Sequence, residues 1–338
     1  MARQSLKAID LFAGAGGLSL GLQRAGWEVV AAIEHDKWAA ATHHQNFPMC
    51  KTLRTDVRDV DWSSFHGIDL VAGGPPCQPF SVSGKQLGAG DLRDMVPEFI
   101  RIVSIVRPRV FLMENVKGLS LSKFKSYLDD AIHRMEQLGY VVRHQVLNAA
   151  DHGVPQFRER LIIVGMLDTA FEFPEPTHGP GRARPWVSVA DVVAAEPPDE
   201  PNKAKVAYCK NPVLRRSAFA GMLLNGKGRP LDMVLPSLTI PASAGGNRTH
   251  VLDREGELVR YHASLLKGAA PRSGIVPGAR RLSLRECARI QGFPDGFAFL
   301  GPKSKQYSQV GNAVPPPLAE TVSRALLHQL HAAERKVA

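Results

Sequence analysis

Short apolar runs, each ending in glycine or a polar residue, recur through the first half of the chain and alternate with stretches of helical period. KAIDLFAG reads as a buried strand entering a glycine turn, and in the adjoining LSLGLQRAG, Leu18, Leu22 and Ala25 fall at helical spacing. EVVAAIEHD is a second strand. IDLVAGGPP and PRVFLMENV repeat the strand pattern, with the helical PEFIRIVSIV between them. Buried apolar strands alternating with amphipathic helices predict an α/β fold, a doubly wound and mostly parallel sheet covered on both faces. Ligands of such sheets bind beyond the carboxyl ends of the strands. YVVRHQVLNA and RLIIVGML are two further strands, separated by the loop DHGVPQFRE.

After Phe171 the texture changes. Pro174 to Pro201 is rich in proline and short polar segments, and the chain is then glycine-rich, basic and weakly periodic to about Arg280. This predicts a larger domain over 1–185, completed by 300–338, and a smaller irregular domain over 186–299. ECARIQGF reads as a helix start, and LAETVSRALLHQLHAAERK as an amphipathic helix returning to the first domain. No internal repeat is visible.

Composition narrows the class. At 338 residues, 44% hydrophobic and 22% charged, the chain has ample volume for a core. No run of about 18 apolar residues appears, so no membrane span is expected. The N-terminal MARQSLKAIDLF does not resemble a signal peptide. Cys50, Cys77, Cys209 and Cys287 lie far apart without metal-ligand or paired spacing, which predicts reduced intracellular thiols and no metal site. The 12 histidines form no ligand pattern, and the pair His43 and His44 is expected on a solvated helix face. The net charge of +10 is regional: Asn202 to Arg285 holds 15 Lys/Arg against 4 Asp/Glu, whereas the residues before 202 hold 21 against 24. A near-neutral body with a basic insert suits a polyanion, whose phosphates the insert would neutralise.

Two stretches carry candidate chemistry. DLFAGAGGLSLG places Gly14, Gly16 and Gly17 between a strand and a helix, where backbone amides approach a cofactor closely. Ser19 occupies the third glycine position of the dinucleotide fingerprint, so that fingerprint is not met. Glu34, about 20 residues on, ends the next strand, where a carboxylate can accept from both hydroxyls of a ribose, and Asp56 ends the following segment. A purine-ribose ligand without pyrophosphate fits these parts, and S-adenosyl-L-methionine is the commonest such cofactor. In GGPPCQPFSVSG, Pro75, Pro76 and Pro79 restrict the backbone around Cys77, as expected of a presented side chain rather than a buried thiol.

In order and spacing, DLFAGAGGLSLGL, IEHD, GGPPCQPFS, MENV, VPQFRERLIIVG, RRLSLRECARIQGFP and QVGNAVPPPLA resemble the DNA cytosine-5 methyltransferases of prokaryotic restriction-modification type. The resemblance covers about 1–165 and 280–320. It implies the S-adenosylmethionine-dependent methyltransferase fold, with Phe12, Gly14, Gly16, Gly17, Glu34, Asp56, Val57, Pro76 and Asn312 about the cofactor. It also implies a catalytic set of Cys77, Glu114, Arg158 and Arg160. Cys77 would add to carbon 6 of cytosine, Glu114 would hydrogen-bond N3 and the exocyclic amine, Arg160 would donate to O2 and Arg158 would orient its neighbours. The segment 186–299 would be the target-recognition domain. Gln78, Ser81, Lys85, Arg93 and Thr239 would contact DNA, and the glycine-rich loop after Cys77 would close on a flipped base.

The implied partner is double-stranded DNA, with the enzyme acting as a monomer in a prokaryotic cytoplasm beside a restriction endonuclease of the same sequence. Chromatin-reading extensions are absent. An amino-group methyltransferase would carry an aromatic residue where Cys77 stands. The closer alternatives are a tRNA cytosine-5 methyltransferase of the same family, which usually carries Cys-Phe-Thr in the variable region, absent here, and a catalytically inactive DNA-binding homologue. The latter would have lost Cys77, Glu114 and Arg160, which are all present.

Overall fold

The computed structural model describes residues 5–76, 94–167, 169–194 and 196–337. The chain divides into two compact units, one of 1–152, 159–177 and 313–338, the other of 153–158 and 178–312.

The first unit is built on seven strands: β1 Lys7–Leu11, β2 Glu28–Ile33, β3 Lys51–Leu53, β4 Leu70–Gly73, β5 Val110–Val116, β6 Val141–Asn148 and β7 Glu159–Met166. They form one sheet in the order β3-β2-β1-β4-β5-β7-β6. The pairs among β1 to β5 are parallel, and β7 runs antiparallel to both β5 and β6. The chain winds outward from β1 to β3 and then in the other direction through β4 and β5. The topological switch point therefore lies between β1 and β4, where ligands of such sheets bind.

Helices α1 Gly17–Ala25, α2 Lys37–Asn46, α3 Val96–Val106 and α4 Lys125–Gln137 connect these strands, and α9 Pro316–Val337 completes the unit. The central strands are apolar because both faces are covered: Ile9, Leu11, Ile33, Val71, Phe111, Met113 and Ile163 pack with Phe99, Ile102 and Val103 of α3. The C-terminal helix is tied in by Trp27, whose buried indole N–H donates to the Ser323 carbonyl at 3.0 Å. Among the described residues no helix is long and apolar enough to cross a membrane.

The second unit has little regular structure: the two-stranded pairs β8 Tyr208–Val213 with β9 Met222–Leu224 and β10 Val251–Leu252 with β11 Arg280–Arg281, and helices α5 Val189–Val192, α6 Glu257–Leu266, α7 Leu284–Ile290 and α8 Lys303–Asn312. A small core of Leu223, Leu224, Val251, Leu258, Tyr261 and Val276 supports it. Loop backbone cannot be buried unpaired, and here buried polar side chains take the place of ladders. Arg281 is buried and donates to the carbonyls of Thr249 at 2.9 Å and Asn225 at 2.8 Å.

A chain of polar groups under the sheet fixes the glycine turn after β1. Asp10 accepts from the Ser19 hydroxyl at 2.6 Å; Ser19 Oγ lies 2.9 Å from His43 Nε2, and His43 Nδ1 lies 2.8 Å from Thr52 Oγ1. These residues link β1, α1, α2 and β3. His43 is fully buried, against the expectation of a solvated face, while His44 is exposed. On α2 the two differ by about 100° of rotation, which puts His43 with buried Ala39, Ala40 and Thr42. Its ring and that of Phe47 fill the place of a side chain on Gly16, where a Cβ would meet them at 2.9 and 2.3 Å. Burial pushes the Asp10 carboxyl up to about 7 and holds the His43 imidazole down at about 4. When Ser19 donates to Asp10, neutral His43 donates to Ser19 through Nε2 and accepts from Thr52.

The pH dependence of stability follows from the raised Asp10 pKa. The fold binds a proton there more tightly than the unfolded chain does, so this stabilisation is full below about pH 4 and is lost as pH rises through about 7. The lowered His43 value gives the opposite slope between about 4 and 6.5, common to wild type and an Asp10 variant. Asp10→Asn keeps the polar shape and removes the titration. In urea unfolding, its stability relative to wild type is expected to improve by roughly 4 kcal/mol between pH 4 and 8, with little change above pH 8. A difference independent of pH would show that Asp10 does not titrate in this range.

Candidate active site

At the carboxyl ends of β1, β2 and β4 the first unit holds a cavity of about 210 Å³. Its lining includes Phe12, Glu34, Asp56, Val57 and Pro76 from the sequence-derived set, together with Met95. Phe12 directly follows β1 and has φ +57°, a left-handed conformation that costs a non-glycine residue about 1–2 kcal/mol. Glu34 directly follows β2 and is buried, with each oxygen engaged: Oε2 accepts from the Gly14 amide at 2.9 Å and Oε1 from the Asp36 amide at 2.7 Å. Asp56 accepts from the amide and the Nε of Arg58, both at 2.9 Å, and from Nη2 at 2.7 Å. The Arg58 hydrogen bonds hold its carboxyl down at about 2, so it is ionised at neutral pH.

The glycine turn does not present a phosphate cradle. The Gly14 amide is used by Glu34, Gly16 faces Phe47 and His43, and Gly17 is a buried residue of α1. Gly14, with φ +57°, has open space where a Cβ would stand. Two carboxyl groups beside this turn would repel a diphosphate and suit hydroxyl or ammonium donors.

The end of β4 meets a second constellation. In the antiparallel register Glu114 of β5 lies opposite Ile162 of β7, and Arg160 lies opposite Val116. Glu114 and Arg160 are therefore diagonal neighbours on one face of the sheet. Arg160 Nε donates to Glu114 Oε1 at 2.7 Å, and the two side chains are only 14% and 13% exposed. Asn115, pointing to the opposite face, donates to the Pro75 carbonyl at 3.2 Å. A Cβ on Gly74 would stand 3.1 Å from Glu114 Oε2, so glycine lets the carboxyl lie against the turn. The Met95 amide donates to the Pro76 carbonyl at 3.1 Å. Successive residues of MENV thus fix the segment that runs into Cys77. Cys77, Gln78, Ser81, Lys85 and Arg93 lie outside the described residues.

Three other sequence-derived candidates belong to the second unit. Arg158 is buried and donates to the carbonyls of Ile240 at 3.2 Å and Gly311 at 2.8 Å. Gln156 accepts from the Ile240 amide at 2.9 Å, and Thr239 Oγ1 donates to the Phe157 carbonyl at 2.7 Å. The segment 154–158 is therefore a clamp on 237–240. Thr239 has its hydroxyl proton committed, so a phosphate contact would have to use its backbone amide or follow a rotation of the side chain. Asn312 ends α8, with Nδ2 3.5 Å from Ser308 Oγ. Sequence reasoning passed over Arg58, Met95 and Asn115. The first stands two residues after Asp56 and the last inside MENV, so both were within reach; Met95 carried no signal.

Known proteins resemble this chain over nearly its whole length. Residues 6–328 match the family of C-5 cytosine-specific DNA methylases. The chain is 34% identical to the Type II methyltransferase M.PspPI of Psychrobacter sp. (strain TA137), covering 99% of this chain and 82% of that protein. It is also 34% identical to the Type II methyltransferase M.NgoMIV of Neisseria gonorrhoeae, over 96% and 97% of the two chains. The crystal structure of the S. pombe Dnmt2 methyltransferase superposes with a TM-score of 0.70 over 97% of this chain and 99% of that one; at 17% identity this likeness speaks for the fold alone. The matched range spans the whole seven-stranded sheet, and the chain belongs to the C-5 cytosine-specific DNA methylase family as a DNA cytosine methyltransferase.

Proposed function

We propose that this enzyme transfers a methyl group from S-adenosyl-L-methionine to carbon 5 of a cytosine flipped out of a specific double-stranded DNA sequence, through a covalent Cys77 adduct at carbon 6. The observation that carries this reading is the Glu114 and Arg160 pair, held against the Gly74 to Pro76 turn that leads directly into Cys77. Carbon 5 of cytosine is a weak nucleophile until a thiolate adds at carbon 6. The sulfur electron pair forms the S–C6 bond and the C5–C6 π pair moves to carbon 5, which takes the methyl group. Glu114 hydrogen-bonds N3 and the exocyclic amine, and Arg160, oriented through Nε by Glu114, donates to O2. A base, for which water suffices, then removes the carbon 5 proton. The C–H pair restores the double bond, and the C–S pair returns to Cys77.

The cavity residues fit the cofactor: Glu34 for the ribose hydroxyls, Phe12 against the purine, Asp56 for a donor group, and no cradle for a diphosphate. Bound there, S-adenosylmethionine supplies an electrophilic methyl group. Arg158 is a positioning residue, acting through the carbonyls of Ile240 and Gly311.

The second unit, with its basic excess, reads the DNA sequence and neutralises phosphate. The family match favours DNA over RNA as substrate, and the Type II methyltransferases among the relatives support a companion endonuclease. The enzyme works as a monomer in the cytoplasm.

Two measurements test this reading. Glu34→Ala is expected to weaken S-adenosylmethionine binding roughly 10- to 100-fold in calorimetry, the loss of one or two hydrogen bonds to a charged group, and to affect DNA affinity far less. An unchanged cofactor affinity would remove Glu34 from the site. A duplex with 5-fluorocytosine at the target is expected to stay attached through denaturing electrophoresis in the presence of S-adenosylmethionine, because fluorine cannot leave as a cation. Cys77→Ser abolishes the trap, since a serine hydroxyl supplies almost no anion at neutral pH. Trapping by Cys77→Ser, or an adduct mapped to another cysteine, would sink the covalent mechanism.

A further inference from the structure

We infer that the β8–β9 hairpin of the second unit is a base-reading element, which enters the major groove of duplex DNA with Arg215 and Arg216 donating to base edges. The inference rests on the DNA substrate and on the assignment of this unit to sequence recognition. The hairpin tip exposes apolar side chains that a folded chain normally covers. Val213 and Met222 face each other across the two strands and are 43% and 42% exposed, and Leu214 beside them is 38% exposed. Arg215 and Arg216 come directly after. Both are exposed, and among the described residues neither guanidinium has an ion pair or hydrogen-bond partner.

Several other arginines of the unit are committed. Arg260 and Arg272 pair with Glu257, Arg280 with Glu286, and Arg289 with Asp295. The two adjacent arginines at the tip are open to an anionic or acceptor-rich partner in a region where 15 Lys/Arg face 4 Asp/Glu.

The tip is held from behind. Ala218 is buried in the core of the unit, His262 Nε2 of α6 donates to the Arg215 carbonyl at 2.8 Å, and the amides of Ala220 and Gly221 donate to the Ser217 carbonyl at 3.1 and 3.2 Å. A backbone fixed this way presents its side chains at low entropic cost, as a recognition element requires. The chemistry selects the groove. A two-stranded ribbon fits the major groove, where arginine matches the O6 and N7 acceptors of guanine and apolar side chains meet the thymine methyl. The minor groove offers no methyl group. A tip that served phosphate alone would have no use for Val213, Leu214 and Met222 in solvent.

The test is the methylation pattern left by the full-length enzyme in a methylation-free host, read by bisulfite sequencing for wild type, Arg215→Ala, Arg216→Ala and Leu214→Ser. All three side chains are exposed, so unchanged melting curves certify the fold. At least one arginine variant is expected to relax the target at a single base position, with discrimination there falling on the order of 10- to 100-fold while the other positions stay selective. A uniform fall in methylation with the target unchanged would reduce the hairpin to a phosphate contact and overturn the inference. So would wild-type patterns in all variants, or a dimer seen by sedimentation in wild type and lost in Leu214→Ser, which would give the apolar tip to a second copy. The 5-fluorocytosine trap keeps the two readings apart: trapping with an unaltered target defeats only the hairpin, whereas no trapping by wild type defeats the proposed chemistry.

Discussion

The interaction on which the site depends is the ion pair between Glu114 and Arg160. Two charges with most of their surface removed from water must compensate each other or be expelled, and they can meet only because β7 runs antiparallel to β5 in a register that places them diagonally on one face. That register sets one strand, between β5 and β6, against the direction of an otherwise parallel sheet. The same strand spends its next residue, Asn115, on the Pro75 carbonyl, and glycine at position 74 leaves room for the carboxyl. Strand pairing, turn and ion pair determine one another.

The cofactor side shows a similar economy. Glu34 is oriented by two backbone amides and Asp56 by one arginine, so both acceptors are set before anything binds. Preorganised groups of this kind need no reorientation when a ligand arrives. Beneath them, the buried run from Asp10 through Ser19 and His43 to Thr52 ties β1 and the glycine turn to β3, the strand that Asp56 follows.

Much of the first unit was legible because its signals are periodic or terminal. β1, β2, β4 and β5 are apolar runs with a polar stop, and Phe12, Glu34, Asp56 and Pro76 stand at or just beyond such stops, where the sheet opens to a ligand. The reversal at β7 was not legible, since a buried strand reads alike in either direction. His43 misled because two adjacent histidines look polar, whereas the helix turns one of them inward. Arg158 and Thr239 were identified from sequence as chemical groups. Their hydrogen bonds go to backbone carbonyls, a use that residue type alone does not reveal. The second unit hid most, because it satisfies its backbone with scattered side chains such as Arg281 and Gln156 rather than with ladders that leave a period.

A double-mutant cycle on single-turnover methyl transfer, with Glu114→Gln, Arg160→Met and both together, tests most directly whether the pair acts on the target base as one unit. Each single change is expected to slow transfer by roughly 100-fold or more, and the double variant to be within about threefold of the slower single variant, since residues acting as a unit lose their contribution once. Losses that multiply would contradict it, showing that Glu114 and Arg160 serve the reaction independently.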